Sequence, residues 1–139
     1  MRFEQYATLP AQAERIRTEV FVEEQGFSNE FDEIDGSAIH LICYDDEIPI
    51  ATCRIFYKDE MQSYVVGRIA VIRARRGEGI GAALLAGAED YIRQKGGQSV
   101  MLLAQLRASG FYEKSGYKKQ GEICMDEGCA HIWMRKELK

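Results

Sequence analysis

Tyr64-Val65-Val66-Gly67-Arg68-Ile69-Ala70-Val71-Ile72-Arg73-Ala74-Arg75-Arg76-Gly77-Glu78-Gly79-Ile80-Gly81-Ala82-Ala83-Leu84-Leu85 is the stretch on which the reading of this chain turns. Its first half is β-branched and aromatic, the composition of a strand buried on both faces. Its second half is a glycine-rich turn, residues 76–81, that opens directly into an apolar helix. A strand, a glycine turn and a helix start together make an anion site. Unpaired backbone N–H groups point outward there, and the positive end of the helix dipole adds to them. Glycines let a phosphate approach the main chain closely. Arg73, Arg75 and Arg76 bring fixed positive charge to the same place. The expected occupant is a phosphorylated ligand.

The kind of phosphate loop can be narrowed. A Walker loop requires GxxxxGK[ST], and no Lys follows these glycines. Gly77 to Ala82 fits the loose dinucleotide pattern GxGxxA, but that fingerprint also needs an acid about 20 residues on, at the end of the next strand. The region in question, Ser99-Val100-Met101-Leu102-Leu103-Ala104, has none.

Working outward, 139 residues suit one domain, 1–139, with a core of ordinary size. No apolar run approaches a membrane span, and Met1-Arg2-Phe3-Glu4 does not begin a signal peptide, so the expected address is cytoplasmic. The four cysteines (Cys43, Cys53, Cys124, Cys129) show no CxxC spacing, and only His40 and His131 could join them. Reduced, mostly packed thiols and no metal are expected. A net charge of −4 with no broad basic face argues against nucleic acid. The distribution of charge says more than its sum. From Thr18 to Cys53 there are ten acidic residues and no Lys or Arg, whereas Arg68 to Arg76 holds four Arg and no acid. One region is set for an anion and another for a cation.

Along the chain, 2–7 is a short strand. Thr8-Leu9-Pro10 reads as a helix start with Thr8 at or near the cap and Pro10 in the first turn, and Ala13, Ile16 and Val20 recur at helical spacing until Gly26. Residues 25–38 form a loop or broken helix. Strands over 39–44 and 49–57 turn at Asp45-Asp46-Glu47 and lead through 58–62 into the central strand. After the glycine turn, Ile80, Ala83, Leu84, Gly87, Ala88, Tyr91 and Ile92 form an apolar stripe stopped by Gly96-Gly97. Residues 99–104 form a second buried strand, which calls for a right-handed crossover to a parallel neighbour. A short helix over 108–115, capped by Gly116, precedes a hairpin of 117–124 and 130–136.

Val71-x4-Arg76-Gly77-x-Gly79-Ile80-Gly81-x2-Leu84-Leu85 resembles the acetyl-CoA pyrophosphate motif of the GNAT N-acetyltransferase superfamily, Arg/Gln-x-x-Gly-x-Gly/Ala. Phe111-Tyr112-Glu113-Lys114-Ser115-Gly116-Tyr117 is similar to its FYxxxGF segment. The element order β-α-α-β-β-β-α-β-α-β-β is also that of the superfamily, so the resemblance covers the whole chain. Val20-Phe21-Val22-x-Glu24-Gln25, Ala104-Gln105 and Asp126-Glu127-Gly128-x-x-His131 further resemble a small bacterial subgroup, the ElaA/YjcF-like proteins. The implied fold class is mixed α/β (α+β), with a mostly antiparallel sheet of about seven strands and helices on both faces. One parallel pair near its middle splays to admit a pantetheine arm. The implied co-substrate is acetyl-CoA, held by Ile69, Ala70, Val71, Arg76, Gly77, Glu78, Gly79, Ile80, Gly81, Ala82, Phe111 and Lys114. A small-molecule amine is the implied acceptor, and a homodimer is among the assemblies the resemblance implies.

Moving an acyl group from a thioester to an amine makes three demands: a neutral amine, a stabilised carbonyl oxygen and a departing thiolate. The resemblance assigns the second to a backbone N–H near Ile69 to Val71, typically worth about 3–4 kcal/mol. It assigns the third to Tyr112, beside the sulfur. For the first, Glu24 ends the first helix, where family members line the acceptor cleft. His131 is of the residue type suited to base catalysis near neutrality, and His40 reads as a packed histidine. A water chain also serves. Neither Cys124 nor Cys129 has the surroundings of a nucleophile, so direct transfer is expected. The acidic segment 23–35 is expected to draw in a cationic amine. Two other readings stay open. One is an acyl-homoserine-lactone-synthase-like enzyme, because Arg17-x3-Phe21 and Glu30-x-Asp32-x-x-Asp35 are similar to parts of that family, although its early tryptophan is absent. The other is a non-catalytic acyl-CoA-binding module.

Overall fold

The computed structural model describes residues 1–28 and 30–138; Asn29, in the acidic loop, and Lys139, at the end of the proposed domain, lie outside the described residues. Seven strands form one sheet in the order β1-β2-β3-β4-β5-β7-β6. They are β1 (Arg2–Tyr6), β2 (Ile39–Asp45), β3 (Ile48–Lys58), β4 (Ser63–Val71), β5 (Ser99–Gln105), β6 (Lys118–Asp126) and β7 (Cys129–Glu137). Among the described residues three α-helices accompany them: α1 (Ala11–Arg17), α2 (Ile80–Gln94) and α3 (Ser109–Lys114). All pairings are antiparallel except β4 with β5. The chain returns through the β6–β7 hairpin so that β7 lies beside β5, leaving β6 as an exposed edge.

The two faces of the sheet follow from strand alternation. Leu41 and Cys43 of β2 pack with Ile80, Leu84, Leu85, Ala88 and Ile92 of α2. Ile42 and Tyr44, one residue out of step, pack with Ala13 of α1. Leu84 and Leu85 are at most 1% exposed, and each contributes about 1.5–3 kcal/mol through burial. The Tyr117 hydroxyl donates to Glu89 at 2.8 Å and Lys136 Nζ donates to the same carboxylate at 2.9 Å, tying α2 to β7.

The first helix departs from expectation at both ends. Pro10, not Thr8, is its cap: the proline is extended, and its carbonyl accepts from Ala13 and Glu14. Beyond Arg17 the chain continues as a wider π-helix, Thr18–Glu24, which buries the consecutive residues Val20 and Phe21. The remaining elements lie within one or two residues of the expected spans.

Candidate active site

The central strand runs into the turn as its composition requires. After β4 the chain makes a single 3-10 turn at Arg73–Arg75, extends at Arg76, and takes positive φ at Gly77 (83°) and Gly79 (78°). Gly79 is the cap of α2, and no side chain caps that helix. The first intrahelical bond is Ala83 N–H to Gly79 O, 3.1 Å. The N–H groups of Ile80, Gly81 and Ala82 therefore have no acceptor within the helix, and no acid occupies its first turn. Gly81 lies under Phe111, whose Cζ would stand 3.2 Å from a Cβ at that position. Residues 77–79 and Ala82 are exposed, Ile80 is buried, and Lys114 is exposed on α3. This bare, uncapped cradle fits a diphosphate.

Beside the turn the sheet forks. β4 and β5 are in register only at Tyr64–Val100 and Val65–Met101. Beyond those pairs β4 stays with β3 and β5 with β7. Two residues of β3, Thr52 and Arg54, face Ala70 and Gly67, so β4 carries a bulge at Arg68 and Ile69, with Arg68 at φ 51°. The sequence signal was available in Gly67, a glycine inside a strand pattern. Ile69 and Val71 are half-buried toward α2, and Ala70 is buried toward Phe21.

The fork opens into a cavity of about 700 Å³, bounded by Gly67 and Ile69 of β4, Leu103 and Gln105 of β5, Tyr112 and His131. Phe21 of the π-helix, Phe27 and Phe31 also line it, as do Asp126 and Glu127. The Tyr112 hydroxyl has no protein partner among the described residues, and burial, with Cys53 close by, pushes its pKa up to about 12. His131 is 7% exposed. Its Nδ1 lies 2.8 Å from Cys129 O, a carbonyl that only accepts, so Nδ1 carries the proton and the neutral ring keeps its lone pair on Nε2. His131 faces Gln105 in register across β5 and β7.

Glu24 stands apart from this cavity. Its two oxygens accept from Arg76 Nη1 and Nη2 at 2.6 and 2.8 Å. The hydrogen bond from Arg76 holds its carboxyl below the usual range, which weakens it as a base. Arg76 Nε donates to Val71 O at 3.0 Å. Arg75 pairs with Asp45 and Glu78, so two of the three arginines expected at the phosphate site already hold carboxylates.

In the acidic segment expected to draw in a cationic amine, three carboxylates are bound within the protein. Glu30, Asp32 and Asp35 are bound by Arg17, Arg54 and Arg68 in a network set between α1 and the sheet. Arg17 meets Glu30 and Asp35 at 2.8 Å each, Arg54 meets Asp32 at 2.6 Å and Asp35 at 3.0 Å, and Arg68 meets Glu30 at 3.2 Å. Arg17 and Arg54 flank the acid-only stretch in sequence and fold back onto it. Burial works against the Asp35 carboxylate, yet hydrogen bonds from Arg17, the Asp32 N–H and Arg54 hold its pKa down to about 2. Burial pushes Glu30 up. His40 is packed, as expected: it is buried, its Nε2 lies 2.9 Å from Asp35 O, and burial lowers its pKa. All four cysteines are free thiols. Among the described residues no cluster of His, Cys, Asp and Glu could hold a metal ion, and no helix is long and apolar enough to cross a membrane.

Residues 7–138 match the family model described as an acetyltransferase (GNAT) domain. The chain is similar to the putative acetyltransferase BSU40680 of Bacillus subtilis, with 35% identity over 88% of this chain and 85% of that protein. It is also similar to the uncharacterized N-acetyltransferase YjcF of the same organism, with 33% identity over 88% of each. Among solved structures, a putative N-acetyltransferase from Lactobacillus plantarum superposes with a TM-score of 0.89 and 29% identity over 100% of both chains.

Proposed function

The chain belongs to the GNAT acetyltransferase family, and from that premise we propose that it moves an acetyl group from acetyl-CoA to a primary amine of a small molecule, directly, in a ternary complex. The observation that carries this reading is the fork between β4 and β5. On one side of it lies an uncapped helix start, and on the other the Tyr112 hydroxyl and His131 Nε2, neither with a partner among the described residues.

The N–H groups of residues 79–82 hold the diphosphate, with Phe111 and Lys114 along its path and Arg76 behind the turn. The pantetheine arm lies between the splayed strands, its thioester carbonyl toward the bulge. There a backbone N–H of residues 69–71 stabilises the oxygen as it gains charge, worth about 3–4 kcal/mol. His131 Nε2 takes the proton from the ammonium, directly or through one water. The neutral nitrogen attacks the carbonyl carbon, the C–N bond forms, the nitrogen gives up its second proton to water, and the C–S bond breaks with its electrons on sulfur.

Tyr112 donates a hydrogen bond to that sulfur. Full transfer of the proton from a phenol near 12 to a thiolate of about 8.5 climbs roughly 5 kcal/mol, so the phenol stabilises the thiolate and water completes the protonation. Glu24 is not the base in this scheme. Its pairing with Arg76 and its depressed pKa leave that task to His131.

The test is acetyl-CoA turnover over a panel of small amines, following release of free thiol, together with calorimetry of coenzyme A binding. Turnover with at least one amine is expected. Tight binding of coenzyme A without turnover over a broad panel selects a non-catalytic module instead, and absence of binding overturns the reading.

A further inference from the structure

Two consecutive residues at the end of the π-helix reach opposite prongs of the fork. Glu24 takes both Nη atoms of Arg76, at 2.6 and 2.8 Å, while Arg76 Nε holds Val71 O, the end of β4, at 3.0 Å. Gln25 Oε1 accepts from Gln105 Nε2, at the end of β5, at 2.8 Å. Gln105 in turn lies opposite His131. Phe21, Gln25 and Phe27, on the same segment, line the acceptor cavity, and Phe27 N–H bonds Phe21 O at 2.9 Å. Arg76 directly precedes Gly77, the first glycine of the turn. A single short segment thus joins the phosphate turn, both diverging strands and the acceptor wall. π-helical turns of this kind recur at functional sites.

We propose that Glu24 and Gln25 are positioning residues that transmit occupancy of the glycine turn to the acceptor cavity. The proposal rests on the acetyltransferase reading. A diphosphate bound by the turn fixes the backbone at residues 76–77 and with it the Arg76 guanidinium. Arg76 fixes Glu24, and Glu24 fixes the π-helix end that carries Phe21, Gln25 and Phe27. Gln25, through Gln105, then sets the strand next to His131. Coenzyme A bound first therefore completes the acceptor site, and the amine binds the cofactor complex more tightly than the free protein.

The experiment is amide hydrogen exchange over residues 18–28, with and without coenzyme A, in the wild type and in Glu24→Gln. Amine kinetics at saturating acetyl-CoA are measured alongside for Glu24→Gln, Arg76→Gln and the double variant. Coenzyme A is expected to slow exchange at 18–28 in the wild type and not in Glu24→Gln, which still binds it. Each single variant is expected to lower kcat/KM for the amine about five-fold, and the double variant no further, as for two members of one bonded pair. Slowed exchange that survives in Glu24→Gln, or additive losses in the double variant, overturns the proposal. A wild type that binds coenzyme A with no change at 18–28 overturns this inference alone. One that does not bind it overturns the functional reading as well.

Discussion

At the scale of single residues, the site depends on two polar atoms, the Tyr112 hydroxyl and His131 Nε2, that lack protein partners among the described residues. The Cys129 carbonyl fixes the His131 tautomer, so that Nε2 is the atom left to act as base. His131→Gln is expected to lower kcat about 100-fold or more, measured as thiol release at saturating acetyl-CoA and amine. An unaltered kcat returns the role to water. Tyr112, with its pKa pushed up to about 12 by burial, keeps its proton throughout the neutral range and adds no alkaline limb there. Tyr112→Phe is expected to lower kcat about 10- to 100-fold with KM for acetyl-CoA little changed, because the bond to sulfur strengthens only as charge develops. Full activity in that variant removes Tyr112 from the chemistry.

At the scale of elements, two glycines do different jobs and their substitutions separate the two. Gly79 caps α2 at φ 78° with nothing within 4 Å of a built Cβ, so backbone conformation alone, not space, disfavours a side chain there. Gly97, after α2, has ordinary φ, but a Cβ there would run into Ile92 and stand 2.8 Å from Tyr64. Gly97→Ala is therefore expected to cost about 1–3 kcal/mol of stability by overpacking, with coenzyme A affinity preserved in the folded protein. Gly79→Ala is expected to weaken coenzyme A binding by more than its effect on Tm accounts for, because strain at the cap displaces the N–H groups that form the cradle. Denaturant melts and calorimetry on the two variants distinguish these outcomes. The start and end of α2 were legible from glycine positions alone. The π-helical continuation of α1 was not, since apolar spacing fixes which residues are buried but not how many residues fill each turn.

At the scale of the whole molecule, the buried ion network joins the early loop to α1, β3 and β4 and backs the cavity wall. Its pH dependence follows from its carboxylates. Asp35 near 2, with Asp32 also lowered, lies below the ordinary carboxylate value of about 3.9. The unfolded chain therefore binds more protons in that interval, and stability is present above about pH 4 and lost as the pH falls through about 2. Glu30, raised by burial, has the opposite sign and offsets part of this loss. Asp35→Asn leaves Arg17 short of a buried counter-charge and is expected to cost about 3–5 kcal/mol at neutral pH while making the remaining stability less sensitive to acid. Chemical denaturation from pH 7 to pH 2 measures both effects, and equal losses for wild type and variant across that range contradict them.

The sequence by itself determined the strand–glycine turn–helix, the order of elements and the family. Those features are written in local chemistry: β-branched runs, glycines where φ must be positive, and apolar stripes at helical spacing. It did not determine what the charged residues do. The six acids of residues 23–35 read as a cation-attracting segment until the fold brought Arg17, Arg54 and Arg68 onto three of them. Glu24 read as a candidate base until Arg76, 52 positions away, closed on it. An ion pair between distant residues leaves no periodic trace in the chain, because its geometry is set by where strands and helices pack. Tertiary structure alone decides which charges neutralise one another and which face an incoming substrate.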